Sequence, residues 1–229
     1  MRIFLTMFAA VYIVLPLSAQ EVELLSVHKI WDQGGHNAFT DIIRHDGRFL
    51  CVFREADGHV KGDGKIRVIA SDNGDAWKSV ALLEEDGIDL RDPKISHTPD
   101  GRLMIVAGGS VYREGELVGR QPRVAFSEDG QDWSPTRRIL TEGEWLWRVT
   151  WHKGTGYGVS YAPRKDEPNC KLTLFSTEDG IDYDTVTVLD VSDRGGETTL
   201  RFLPDDTMVA LVRREEGDKS GWIGHSAPP

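Results

Sequence analysis

Ser71-Asp72-Asn73-Gly74-Asp75-Ala76-Trp77 recurs twice along the chain, as Ser127-Glu128-Asp129-Gly130-Gln131-Asp132-Trp133 and as Thr177-Glu178-Asp179-Gly180-Ile181-Asp182-Tyr183. The shared pattern is a hydroxyl residue, an acidic residue, Asp or Asn, glycine, two variable positions and an aromatic. It describes a turn. The Asp or Asn side chain accepts from nearby backbone N–H groups, glycine supplies positive φ, and the aromatic folds back over the hairpin. A short β-prone run precedes each copy, at Ile66–Ala70, Arg123–Phe126 and Lys171–Phe175.

A second turn keeps phase with the first. It reads Asp46-Gly47-Arg48, Asp100-Gly101-Arg102, Lys153-Gly154-Thr155 and Asp205-Asp206-Thr207, so its middle residue falls at 47, 101, 154 and 206, with spacings of 54, 53 and 52. Each copy joins two short apolar or β-branched runs, such as Phe39–Ile43 and Arg48–Phe53, which is a hairpin signature. Each unit therefore holds four short strands, with a hairpin turn after the first and the acidic-Gly-aromatic turn after the third. Units of this length that stack face to face form an all-β propeller of four-stranded blades. About four blades fit the chain.

Composition agrees. The chain of 229 residues has 39% hydrophobic and 28% charged residues, which is globular, and its 24 glycines suit a turn-rich β protein. The net charge of −10 argues against a protein that coats nucleic acid or binds membranes through a polybasic patch. Met1-Arg2, the apolar run Ile3–Leu17 and the small residues before Gln20 read as a signal peptide over 1–19. The apolar run is shorter than the ~20 residues of a spanning helix. The expectation is an exported protein, secreted or periplasmic, with one domain over 20–229 and no membrane span after cleavage. Cys51 and Cys170 read as buried free thiols.

The acidic-Gly-aromatic turn resembles the Asp-box, or BNR repeat, of the sialidase superfamily. Two copies are degenerate, because the box's first position is Ala70 and Phe126 here. The resemblance spans about residues 25–229. It implies a six-bladed propeller, of which this chain would be a C-terminally truncated part, and a glycoside hydrolase of the exo-α-sialidase type.

In a propeller the starts of the inner strands meet at one mouth of the channel. Those starts carry His36-Asn37-Ala38-Phe39-Thr40-Asp41, Arg91-Asp92-Pro93-Lys94, Trp145-Leu146-Trp147-Arg148 and Gly196-Glu197-Thr198-Thr199. Second strands end with Phe53-Arg54-Glu55 and Val212-Arg213-Arg214-Glu215. Ionisable residues recur at matching points of separate repeats, so they are expected to converge. Glu197 and Arg213 bracket one hairpin and should lie side by side.

The sialidase resemblance implies that Glu197 is the catalytic base and Arg213 part of a carboxylate clamp, for which the planar guanidinium fork is suited. Arg54 resembles the arginine that ends the second strand of the family's first blade. The loop after it offers Asp57 as general acid, with His59 as runner-up. Where the family carries an arginine on its first strand, this chain has Asn37, and the matching Arg-x-Pro appears one blade later at Arg91. Arg91, Arg148 and Asp92 complete the expected ring. Arg91-Asp92-Pro93 also resembles the motif of five-bladed fructan and arabinan hydrolases, in which the Asp stabilises the transition state. A tyrosine nucleophile and a third family arginine would lie past residue 229. Trp145, Trp147 and Trp151 are either a sugar-stacking platform or core between blades.

No metal-ligand spacing, phosphate loop or Ser-His-Asp order stands out, and no cofactor is expected. The expected partner is a glycan, sialoside-like or otherwise acidic. Two rivals stay open: a non-catalytic carbohydrate-binding BNR propeller, and a structural propeller without a polar pocket.

Overall fold

A computed structural model describes residues 23–60, 64–163 and 169–227. The expected signal peptide over 1–19 lies outside them. No helix among the described residues is long and apolar enough to cross a membrane.

The chain forms four antiparallel sheets in sequence. The first holds β1 (His36–His45), β2 (Arg48–Ala56), β3 (Lys65–Ser71) and β4 (Lys78–Leu83). The second holds β5 (Asp89–His97), β6 (Leu103–Arg113), β7 (Glu116–Ser127) and β8 (Arg137–Arg138). The third holds β9 (Leu146–His152), β10 (Thr155–Pro163), β11 (Cys170–Thr177) and β12 (Asp184–Leu189). The fourth holds β13 (Gly195–Phe202), β14 (Met208–Arg214) and β15 (Trp222–Ser226). Each sheet is a blade, and its first strand is innermost. β1 packs on β5, β5 on β9 and β9 on β13. This is the four-blade β-propeller that the repeats imply.

The second strands of the first three blades are buried on both faces and are apolar runs rather than alternating ones, whereas β14 of the fourth blade exposes Leu211. Successive residues of β2 serve opposite sides. Leu50 and Val52 pack towards Leu90, Leu103 and Ile105 of the second blade. Cys51 and Phe53 pack the other way, with Ile69, Trp31 and Trp77. β6 repeats the scheme: Leu103 and Ile105 face the first blade, while Met104 and Val106 face Leu146 and Val149 of the third. Tyr157, Val159 and Leu172 then meet Leu200, Met208 and Val212 of the fourth.

The recurring turn welds these interfaces. The hydroxyls of Ser71, Ser127 and Thr177 accept from the amides of Gly74, Gly130 and Gly180 at 2.9, 2.8 and 2.9 Å. Asp129 Oδ1 accepts from the next two turn amides at 2.8 and 2.9 Å, and Asp179 does the same. The absence of Ser or Thr at 70 and 126 therefore does not weaken the device, because the working hydroxyl sits one residue later. Gly130 has φ 76°, and a Cβ there would come within 2.6 Å of Leu50 in the previous blade. The glycine is needed both for its conformation and for the close approach of one blade to the next.

Arg54, expected at the site, is instead part of this frame. It is wholly buried and holds Asp89 of β5 by two bonds, Nε at 2.8 Å and Nη2 at 3.1 Å, while Nη1 donates to the Gly58 carbonyl at 2.7 Å. Wholly buried, it presents no surface to a ligand. Removing one partner of a buried, hydrogen-bonded ion pair leaves the other charge uncompensated. Arg54→Met should therefore lower the unfolding free energy by about 3–5 kcal/mol in urea titrations. Arg213→Met, on a half-exposed side chain, should lower it by about 1 kcal/mol or less. Equal effects would contradict this division of labour.

Candidate active site

The inner strands share one irregularity. In each, two residues oppose a single residue of the second strand: Phe39 and Thr40 against Phe53, Asp92 and Pro93 against Ala107, Trp147 and Arg148 against Val159, Gly196 and Glu197 against Arg213. These are β-bulges, which break the ladder and re-aim side chains. Four occur at equivalent points of four blades. Phe39 and Asp92 take positive φ there, 64° and 51°.

The bulges bring Asp92 and Glu197 into one cavity of about 390 Å³. Arg91, Arg120, Tyr112, Tyr161 and Trp145 also line it, with Arg213 and Phe39. Two blades thus contribute carboxylates that lie 105 positions apart in the sequence. Burial raises the Asp92 carboxyl above the ordinary range, against the pull of Arg91, Lys94 and Arg54. Burial also raises Glu197, against Arg213, and the charge of Asp92 adds to the rise. Glu197 Oε1 lies 2.8 Å from Arg213 Nη1, whereas Asp92 has no ion pair among the described residues. The environment therefore separates the two acids. Burial raises both, but only Glu197 has a cation in contact, and that contact opposes the rise.

The opposite wall consists of donors. Arg120 Nε and Nη2 donate to the carbonyls of Gly143 (3.0 Å) and Tyr161 (3.3 Å), and its guanidinium lies over the rings of Trp145 and Tyr161 at 5.6 and 5.4 Å. Arg91 lies 5.2 Å over the Phe39 ring and donates to Tyr112 Oη at 3.4 Å. Among the described residues neither arginine has a carboxylate partner. Trp145 is 5% exposed, and its indole N–H is buried without a partner. Burial and the charges of Glu197 and Asp92 hold the Tyr161 phenol far above its usual range, so it stays protonated.

Other expected residues lie elsewhere. Asp57 is exposed and lines a separate depression with Gly34, Gly35, Glu55 and Lys65, away from both cavity carboxylates, so it is not placed to act as their partner acid. Its Asp-Gly sequence makes a turn. His59 does reach the cavity rim, where it lies 3.2 Å from His36. Arg148 is tied to Asp41, Nη2 to Oδ1 at 3.0 Å, while Asp41 Oδ2 accepts from the Ile95 amide at 2.9 Å. That carboxylate joins three blades. Trp151 packs between the second and third blades, and Trp147 lies under the ammonium of Lys94.

Arg120, Tyr112 and Tyr161 went unnoticed in the sequence. Tyr112 and Arg120 stand on the longest hairpin, β6 and β7, with 11 and 12 residues where β2 has 9. The signal available was the longer stretch from hairpin glycine to box glycine, Gly101 to Gly130, beside Gly47 to Gly74 and Gly154 to Gly180. Tyr161 lies near the end of β10, the counterpart of the strand ends that carry Arg54 and Arg213.

No protein-family model matches the chain, and no curated protein matches it. Solved structures share its fold. A protein of unknown function from Dyadobacter fermentans DSM 18053 superposes with TM-score 0.75 at 17% identity, over 86% of this chain and 67% of that one. The α-L-arabinanase of Penicillium chrysogenum, complexed with arabinobiose, gives 0.70 at 14%, over 84% and 63%. The α-L-arabinofuranosidase of Fusarium graminearum, with an iminosugar inhibitor, gives 0.65 at 15%, over 86% and 64%. The chain spans less than two thirds of the length of both the arabinanase and the arabinofuranosidase. At these identities the likeness is one of fold.

The electrostatics predict opposite responses at Glu197. Asp92→Asn removes a negative neighbour, so the Glu197 titration midpoint should fall. Arg213→Met removes the paired cation, so it should rise. Carboxyl ¹³C NMR titration reads both, and a midpoint unmoved by Asp92→Asn would show that the two acids do not face each other.

Proposed function

We propose that this protein is a glycoside hydrolase that removes a terminal acidic sugar. The observation that carries this reading is the meeting of Asp92 and Glu197 in one cavity, with their environments set apart by the Arg213 ion pair. Hydrolysis of a glycoside needs one carboxylic acid to protonate the leaving oxygen and one carboxylate on the other side of the reacting carbon. Asp92 is the acid, and Glu197 the nucleophile or the base that activates water. The glycosidic C–O bond breaks as the proton passes from Asp92 to the departing oxygen, and the anomeric carbon ends bonded to a hydroxyl from water. Two structures that superpose on this chain, named as an α-L-arabinanase and an α-L-arabinofuranosidase, support the class.

The acidic character of the sugar rests on the donor wall. Among the described residues Arg91 and Arg120 present guanidinium groups without carboxylate partners, and the protonated Tyr161 phenol adds an O–H. A sugar carboxylate satisfies them together. The exo-α-sialidase type is the finer form of this reading, with Arg91 and Arg120 in place of the buried Arg54. Export through the N-terminal segment fits a glycan substrate outside the cytoplasm.

A panel of chromogenic glycosides of sialic acid, glucuronic acid and arabinofuranose tests the reading. Turnover of an acidic member is expected. Asp92→Asn and Glu197→Gln should each reduce kcat by about 10²–10⁴-fold without changing Tm. Asp57→Asn should stay within about twofold of wild type, since surface changes away from the site act weakly. Arg120→Ala should reduce kcat/KM for the acidic substrate by about 10–100-fold, the equivalent of a lost hydrogen-bonded charge contact. Tight binding of the acidic sugars without turnover would instead support a carbohydrate-binding propeller.

A further inference from the structure

The bulge that delivers Asp92 is held by an unusual clasp. Asp92 sits at φ 51°, in the left-handed region that Asp tolerates better than most side chains. Pro93 follows and has no N–H to give. The carbonyls of both residues accept from one donor, the ammonium of Lys94, at 3.4 and 3.3 Å. Lys94 is 7% exposed, and its Nζ lies 4.2 Å from the centroid of the Trp147 ring. Among the described residues it makes no ion pair.

A buried ammonium held by carbonyls and a ring is costly, and a methionine would fill the same arm without that cost. The charge must therefore matter to what surrounds it. Asp41 faces it from β1, Arg148 from β9, Glu197 from β13, and Asp92 from its own strand. Asp92 in turn is faced by Arg91, Arg54 and Asp89 as well as by Lys94. Burial draws Lys94 below the ordinary lysine range while Asp92, Asp41 and Glu197 oppose that pull.

We propose that Lys94 is a positioning residue for Asp92: its ammonium clasps the two carbonyls of the bulge, and so sets the orientation and charge environment of the Asp92 carboxyl without touching the sugar. The proposal rests on the hydrolase reading for its catalytic meaning, but not for its test. Carboxyl ¹³C titrations of the full chain compare wild type, Lys94→Met and Lys94→Arg. In Lys94→Met the Asp92 midpoint should rise by about one pH unit, the low end of what an opposite charge nearby supplies. Lys94→Arg keeps the charge and should hold the midpoint near that of wild type. With any sugar that wild type cleaves, Lys94→Met should lower kcat by about 10–100-fold, the scale of a misplaced catalytic group, with KM little changed.

A midpoint in Lys94→Met equal to that of wild type overturns the proposal, as does an equal shift in the Met and Arg variants. Should Lys94→Met fail to fold, the Cε resonance of Lys94 in wild type decides. The proposal requires the ammonium to keep its proton throughout the range in which Asp92 titrates, and a lysine already neutral there refutes it. Absence of turnover by wild type on every sugar counts against the hydrolase reading alone, because the titrations still decide the role of Lys94.

Discussion

Each inner strand of this protein meets two demands that a regular strand cannot satisfy together. It must pair with the second strand of its blade, and it must send polar side chains towards the axis. A strict two-residue alternation would keep the whole strand in register and point successive side chains at the neighbouring blades. The bulge resolves the conflict by giving up one step of the ladder. Below it, as at Ile95 and Val149, side chains enter the interblade core. At it, Asp92, Trp147, Arg148 and Glu197 turn away from that pattern. The site is thus a by-product of four equivalent defects, and its position is set by the rule that puts them at the same point of each repeat.

Placing so many charges near one axis demands compensation, and the hub divides them into two groups. Arg54 with Asp89, and Arg148 with Asp41, are satisfied internally and bind blade to blade. Glu197 with Arg213 is a half-solvated pair at the cavity wall. Asp92, Arg91 and Arg120 have no oppositely charged partner in contact among the described residues. An unpaired buried charge is tolerated where function requires it, and these three face the same cavity. The frame charges are paired from blade to blade, whereas the cavity charges, apart from Glu197 with Arg213, are not, and the division does not follow residue type.

Much of the fold was legible in the chain. The turns at Gly47, Gly101, Gly154 and Asp206 marked the hairpins, and the three acidic-Gly-aromatic turns marked the third strand of each blade. The pairing of Glu197 with Arg213 followed from their places on either side of one hairpin. The failures share a cause. Arg54 and Asp57 were assigned from position after the second strand, but side-chain direction there depends on which partner is nearest, and Asp89 from the next blade captures Arg54. Arg120 and Tyr112 were overlooked because they stand on the part of their hairpin that has no counterpart in the other blades, and periodicity says nothing about such an extension.

Repeat spacing and turn chemistry are local properties, written in residues a few positions apart, so the sequence by itself determined the blades, their strand order and the neighbourhood of the hub. Which charge meets which across blades depends on distances between residues 35 to 107 positions apart, as for Arg54 with Asp89 and Asp41 with Arg148. Only the tertiary structure decided that, because contacts between blades are set by how the sheets pack, and electrostatic pairing is settled over a few ångströms.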